Sequence, residues 1–321
     1  MAVYTEVSDL ELEAFLADYA LGAPLSFKGI AEGVENSNFL LETQGGRFIL
    51  TLFERRVQAA DLPYFLALMN WLAGHGYPCA RPVADRAGAT LKILAGRPAA
   101  IVTFLTGLSA RRPSVAHCAE AGEGLARLHL ASDGFEQERE NNLGQPAWAG
   151  LAAGLTDRAE ALKPGLAAVI AGDIAFLEDA WPRDLPAGVA HGDWFPDNVF
   201  FQGGRFAGAI DFYFAAHDQW AYDLGVALNA WCFEADGGFN VTAGAALVRG
   251  YERARSLSAA EKAALPVLAR GAAMRFFLTR LADWNDDREG ALVKPKDPLE
   301  YERKLAVHRA SPDLVLFGAP A

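Results

Sequence analysis

The stretch His191-Gly-Asp193-Trp-Phe-Pro-Asp197-Asn198-Val-Phe-Phe201 constrains this chain more than any other. A carboxylate, Asp193, is followed within one loop by a carboxamide, Asn198. A β-hairpin is predicted next: an apolar run from Val199 to Phe201, a turn at Gln202-Gly203-Gly204, and a second run from Phe206 to Ile210. The second strand ends on Asp211-Phe212-Tyr213. Phosphoryl transfer from ATP to a hydroxyl needs one group beside the attacking oxygen and oxygen ligands for a divalent ion on the phosphates. Asp193 is the candidate for the first role. Asn198 and Asp211 offer oxygen ligands suited to the hard cation Mg²⁺. The hairpin between them returns Asp211 to the loop. A plain hairpin with a capping Asp and Asn is the competing reading; the pairing of loop, strand and second Asp is the more specific pattern.

A length of 321 residues suffices for two packed lobes, and 52% hydrophobic against 21% charged residues predicts a sizeable core. The net charge of −11, without a cluster of Lys and Arg, excludes nucleic acid as an expected partner. Three cysteines, Cys79, Cys118 and Cys232, are widely spaced and form neither a disulfide framework nor a zinc pattern. A reducing cytoplasm is therefore expected. The N-terminus lacks the basic and apolar regions of a signal peptide. The longest apolar stretch, around Ala99 to Leu108, is too short to span a membrane, so no membrane association is expected.

Taken from the start, Ser8 followed by Glu11 is a capping box opening an amphipathic helix. Strands are predicted over 26–31, 38–43 and 47–53, separated by glycine-containing turns. The loop before the second strand holds Glu32-Gly33-Val34-Glu35-Asn36-Ser37-Asn38. Two readings of it stand: Asn36, Ser37 and Asn38 donate hydrogen bonds to nucleotide phosphates, or the loop is a polar hairpin turn. On the third strand, Ile49 and Thr51 share a face. In a kinase lobe Ile49 would cover the adenine, and a Lys would stand near Thr51 to hold the phosphates. The next helix, 62–73, carries no Glu to pair with such a Lys. Lys28, Arg47 and Arg55 are the alternative cations. A hairpin over 91–95 and 98–104 leads into a link, Leu105-Thr-Gly107. The backbone around Thr103, Phe104 and Leu105 is placed to meet the adenine edge.

From Ser114 the pattern turns helical, over 115–130, 151–162, 166–179, 224–233, 243–254, 259–264 and 267–284, with 131–146 a loop and 289–321 mixed. His129 is expected to be a hydrogen-bonded core histidine. Asp218 and Asp223, after the second acidic motif, are expected to brace the catalytic-loop backbone. In the last long helix Arg280 borders the apolar stripe and Arg275 points to the other side, with Asp283 or Asp223 as the expected internal partner.

Protein kinases carry H-R-D-x-x-x-x-N and then D-F-G in this order; here Gly192 stands for the Arg and Tyr213 for the last Gly. The chain resembles the aminoglycoside phosphotransferase-like small-molecule kinases, and among them the bacterial homoserine kinases of that fold. The resembling stretches are Lys28 to Asn38, Arg47 to Glu54, Leu125-Ala-Arg-Leu-His129, His191 to Phe201, Ile210 to Ala215, and Met274 to Leu281. The resemblance implies a cytoplasmic, Mg²⁺-dependent enzyme that phosphorylates the side-chain hydroxyl of L-homoserine with ATP. It carries over firmly to Asp193, Asn198 and Asp211, and departs from the family pattern at Thr51. The expected architecture is α+β, a two-lobed protein-kinase-like fold. Its antiparallel-sheet N-terminal lobe covers residues 1–105 and its mainly helical C-terminal lobe residues 106–321. Homoserine is a zwitterion, so Arg275 and Arg280 are the candidates for its carboxylate, and Asp193 for its ammonium as well as its hydroxyl. The competing expectations are a kinase for an aminoglycoside, choline or sugar, and a nucleotide-binding pseudokinase scaffold.

Overall fold

A computed structural model describes residues 5–30, 36–54, 58–284 and 296–313. The described residues fall into two compact units, one up to Thr106 and the other from Gly107.

The N-terminal unit is a five-stranded antiparallel sheet with helical cover. Helix α1 (Asp9–Leu16) starts at the predicted capping box: the Ser8 hydroxyl accepts from the Glu11 amide while the Glu11 carboxylate accepts from Ser8. Strands β1 (Pro24–Gly29), β2 (Ser37–Thr43) and β3 (Gly46–Leu52) follow, then helix α2 (Leu62–Gly74), β4 (Lys92–Leu94) and β5 (Arg97–Thr103). The sheet order is β1-β2-β3-β5-β4. Strict alternation along β2 buries Ser37, Phe39, Leu41 and Thr43 on one side. The core joins Phe39, Leu41, Leu50, Leu52 and Ile101 to Leu12, Phe15 and Leu16 of α1. The other face carries Asn38 opposite Thr51 and Leu40 opposite Ile49, with Val102 beyond Ile49.

The C-terminal unit opens with a short strand, β6 (Leu108–Ser109), and is otherwise built on helices α3 (Val115–Ala131), α4 (Gln145–Ala153), α5 (Thr156–Leu162) and α6 (Leu166–Ala180). Strand β7 (Ala187–Ala190) leads to the motif loop; β8 (Val199–Gln202) and β9 (Arg205–Ala209) form the predicted hairpin, and β10 (Ala216–Gln219) pairs back on β7. Helices α7 (Trp220–Trp231), α8 (Val241–Ala254), α9 (Ala259–Asp283) and α10 (Leu299–Ala310) complete the unit.

Three sequence expectations are corrected here. The two helices expected over 259–264 and 267–284 are one, and Pro266 lies inside it. A proline in a helix interior costs about 3 kcal/mol. Leu265, Leu268, Ala269, Ala272 and Phe277 are fully buried along the same helix, and their packing outweighs that cost. The loop expected over 131–146 ends earlier, because Pro146 stands at the start of α4, where its missing amide costs nothing. The tail described as mixed contains α10, whose buried Tyr301, Lys304, Leu305 and His308 give little apolar periodicity.

Helices α3 and α8 cross at backbone contact. A Cβ on Gly122 would sit 2.0 Å from the Leu247 carbonyl oxygen, and one on Gly250 would sit 2.0 Å from that of Ala119. On an open helix surface Gly→Ala gains about 1 kcal/mol. At this crossing the sign reverses, because backbone cannot move aside as a side chain can. Gly250→Ala should destabilise the protein by about 2 kcal/mol, read as a lower midpoint in urea unfolding; an unchanged or raised midpoint would show that the helices can separate freely.

Candidate active site

The motif loop is held residue by residue. Strand β7 delivers His191, and Gly192 follows at φ +74°. A Cβ there would lie 2.8 Å from the Phe214 carbonyl oxygen, so both conformation and space call for glycine where the protein-kinase pattern has Arg. Asp223 of α7 is fully buried and caps the turn. Its Oδ2 accepts from the His191 amide at 2.7 Å and its Oδ1 from the Gly192 amide at 2.9 Å. The His129 ring nitrogen Nε2 lies 3.0 Å from the same Oδ2, and its Nδ1 lies 2.7 Å from the Tyr251 hydroxyl. Burial works against the Asp223 anion, but the His129 hydrogen bond and the loop amides outweigh it and hold the carboxyl below its usual range. Burial lowers His129 as well, so the pair is a carboxylate beside a neutral imidazole. A carboxylate only accepts, which assigns the His129 proton to Nε2.

The other expected brace, Asp218, lies elsewhere. It stands on β10, where it accepts from the Asn141 amide group at 2.6 Å and from the Gln219 backbone at 2.7 Å. Burial raises its carboxyl, and its place in a strand rather than in α7 keeps it off the loop amides.

His191 ties the loop to the hairpin. The Asp193 amide donates to its Nδ1 at 3.2 Å, and its Nε2 donates to the Ile210 carbonyl at 3.0 Å, one residue before Asp211. Asn198 completes the ring. Its side-chain amide donates to the Asp193 carbonyl at 2.9 Å and to the Asp193 carboxylate at 3.0 Å. The Ile210 amide donates to the Asn198 backbone carbonyl at 3.0 Å. The structure therefore brings Asp193, Asn198 and the start of Asp211 into one hydrogen-bonded turn. Asp211 itself has φ +63°, a left-handed conformation uncommon for a residue with a side chain and typical of functional positions. With its NH₂ turned to Asp193, the Asn198 amide oxygen takes no part in those bonds. Trp194 pins the loop below: its indole donates to the Ala121 carbonyl of α3, and the Trp231 indole donates to the Trp194 carbonyl.

The two candidate arginines of α9, Arg275 and Arg280, are engaged inside this unit. Arg280 donates to the Asp297 carbonyl and to Glu300, not to Asp283 or Asp223. Arg275 is 3% exposed, and its Nη1 donates to the Gly192 carbonyl. The expectation that Arg275 points away fails because Ala273, Met274, Arg275, Phe277 and Leu278 are all buried; α9 is enclosed around most of its girth rather than along one stripe.

In the N-terminal unit the Thr51 hydroxyl, 3% exposed, donates to the Asn38 side-chain oxygen at 2.7 Å. The Ser37 hydroxyl donates to Glu54, and the Asn36 side chain accepts from the Glu54 amide. Glu54 also pairs with Arg97 at 3.2 Å, a cation that the sequence reading missed because nothing local marks it. Of the cations it did name, Lys28 is exposed on β1, Arg47 lies 4.8 Å over the Phe104 ring, and Arg55 lies outside the described residues, as do Glu32 to Glu35. The Thr103 and Phe104 amides donate to the Arg81 and Arg47 carbonyls. Ile49 stays half-buried on the sheet face that it shares with Thr51.

A model of the phosphotransferase enzyme family matches residues 26–257. The homoserine kinase of Phenylobacterium zucineum is 70% identical over 321 residues, covering 100% of this chain and 99% of that one. The chain belongs to the homoserine kinases of this family. The homoserine kinase of Caulobacter sp. strain K31 is 67% identical over 322 residues and covers 100% of both chains. Among solved structures, an amicoumacin kinase in complex with AMP-PNP and Ca²⁺ superposes with a TM-score of 0.70 over 96% of this chain and 93% of its own. At 14% identity that likeness shows the fold alone.

His191 predicts a pH effect on stability. Burial pushes its pKa down from 6.5 to about 4, against the opposing pull of Asp223. The unfolded chain then binds the proton first as pH falls, so stability is full above about 6.5, declines through the window, and is lost by about 3 kcal/mol once pH passes about 4. Urea unfolding across that range should show the decline, and His191→Asn, which keeps a donor and an acceptor, should flatten it. An equal slope in the variant would assign the effect elsewhere.

Proposed function

We propose that this protein transfers the γ-phosphoryl group of ATP to the side-chain hydroxyl of L-homoserine, giving O-phospho-L-homoserine and ADP, and that it does so in the cytoplasm with Mg²⁺. Its relatives at 70% and 67% identity are homoserine kinases along their whole length. The observation that carries the chemistry is the single turn in which Asn198 bridges to Asp193 while His191 ties that turn to the peptide before Asp211.

In this reading Asp193 orients the homoserine hydroxyl and takes its proton as the oxygen–phosphorus bond forms and the bond to the ADP oxygen breaks. The Asn198 amide oxygen and the Asp211 carboxylate hold Mg²⁺. The donor chemistry fits: both are hard oxygens, and Mg²⁺ on a nucleotide is usually held by one or two protein groups plus phosphates. No cluster of three or more His, Cys, Asp or Glu side chains able to hold a metal is found among the described residues. Held there, Mg²⁺ would supply Lewis-acid stabilisation of the charge that develops on the phosphates. Asn36, Ser37 and Asn38 border the phosphates. The Ser37 hydroxyl is already bound to Glu54, so its contribution passes through the backbone. Ile49 lies against the adenine. With the Thr103 and Phe104 amides already paired, the adenine edge is left to carbonyls of that segment and to Leu105. Arg280 is held by Glu300, whose carboxyl, despite burial, is held down at about 2 by Lys304 and Arg280. Through Nη1 Arg280 is also bound to the Asp297 carbonyl, so a homoserine carboxylate would meet its remaining N–H groups. No described helix is long and apolar enough to cross a membrane.

Two experiments test this reading. Asp193→Asn should lose kcat by about 10²- to 10⁴-fold while Mg·ATP affinity holds within a few fold, in an ADP-release assay with homoserine beside aminoglycosides, choline and sugars. Turnover near wild type, or a wild-type preference for another alcohol, would refute the assignment. Thr51→Lys separates a site rebuilt around threonine from a decayed one. The new ammonium would enter a position 3% exposed and break the Thr51–Asn38 bond, so kcat/KM should stay level or fall. A nearly inactive wild type rescued by the lysine would favour a scaffold.

A further inference from the structure

Gly192 is the one residue of the catalytic turn without a side chain to fix its orientation. At φ +74° the peptide that links it to Asp193 is set by hydrogen bonds rather than by steric limits. Both ends of that peptide are taken. Its N–H, on Asp193, donates to His191 Nδ1 at 3.2 Å. Its carbonyl, on Gly192, accepts from Arg275 Nη1. Rotation of this peptide would change the backbone angle at Asp193 and swing its carboxylate away from the Asn198 amide. The amides on the preceding side are fixed separately by Asp223, which leaves the 192–193 carbonyl to Arg275.

The surroundings of Arg275 suit a fixed strut. It is 3% exposed, and its guanidinium carbon lies 4.5 Å from the Phe276 ring centroid and 5.5 Å from that of Phe214. A cation so enclosed has few rotamers to choose from. We infer that Arg275 is a positioning residue: it sets the aim of the Asp193 carboxylate through the Gly192 carbonyl, and it is not the ligand of the substrate carboxylate. The rival role has two observations behind it. Arg275 Nε is buried with no hydrogen-bond partner among the described residues, and Arg275 lines a cavity of about 340 Å³ with Asn142, Leu143, Trp148 and Thr279. With Nη1 committed to the Gly192 carbonyl, the Nε–Nη2 edge is the fork left to an incoming carboxylate, and the two roles separate by their kinetics.

The inference rests on the homoserine kinase reading, and wild-type turnover with homoserine, measured first in the same assay, tests that reading by itself. Arg275→Lys and Arg275→Gln are then compared with two acceptors: homoserine and 3-aminopropan-1-ol, which is homoserine with hydrogen in place of the carboxylate. Slow Mg·ATP hydrolysis without an acceptor is the third readout. A positioning role predicts that kcat falls about 10- to 100-fold for homoserine while its KM stays within about threefold. It predicts the same factor for the amino alcohol and for hydrolysis, and a smaller loss in Arg275→Lys, which retains a donor. A rise in KM for homoserine that disappears with the amino alcohol would overturn the inference in favour of a carboxylate ligand. Folded variants with unchanged kcat would overturn it as well. Failure of both variants to fold would also count against it, by making the arginine part of the core.

Discussion

The buried Asp223 carboxylate is the interaction on which the rest of the active turn depends. A carboxylate without solvent is costly unless its lone pairs are met by donors. Here they are met by two consecutive backbone amides and one imidazole, and those amides belong to the loop that presents Asp193. The cost of burying the charge and the geometry of the loop are thus coupled: the anion is stable only when the turn is formed, and the turn is formed only around the anion. His129 extends the coupling to α3 and Tyr251 extends it to α8.

On the far side of the turn His191 does similar work with opposite chemistry. It must be neutral to accept from Asp193 and donate to Ile210 at once, and burial ensures that it is. The distance from loop to hairpin is set by one aromatic ring. Asp211 follows β9 by two residues and is itself left-handed, a conformation that the surrounding bonds must sustain.

Much of this was legible in the sequence because it is local. The capping box at Ser8, the glycine turn between β8 and β9, and the alternation along β2 each act through neighbours in the chain, and each formed where the pattern placed it. The grouping of Asp193 with Asn198 and with the peptide before Asp211 was legible for the same reason, since one hairpin joins these positions. What was not legible depends on distant partners. Nothing near Glu54 announces Arg97, and nothing near Arg275 announces the Gly192 carbonyl. Pro266 reads as a stop until the packing on both sides of it is known. Asp218 and Asp223 are alike in sequence, but β10 carries the first to Asn141 and α7 the second under the loop.

The crossing of α3 and α8 has a consequence for how this enzyme can diverge. Helices that meet through side chains can exchange volume across the contact, one residue shrinking as another grows. Helices that meet backbone to backbone, at Gly122 and Gly250, have no such slack. Yet α3 carries His129 and the carbonyl under Trp194, and α8 carries Tyr251, so the brace beneath the motif loop hangs from this contact. Descent is expected to leave the two positions small and to confine variation to the outer faces of the pair. Relatives that enlarge one of them should show a compensating shift along the whole helix, an evolutionary ratchet imposed by a missing methyl group.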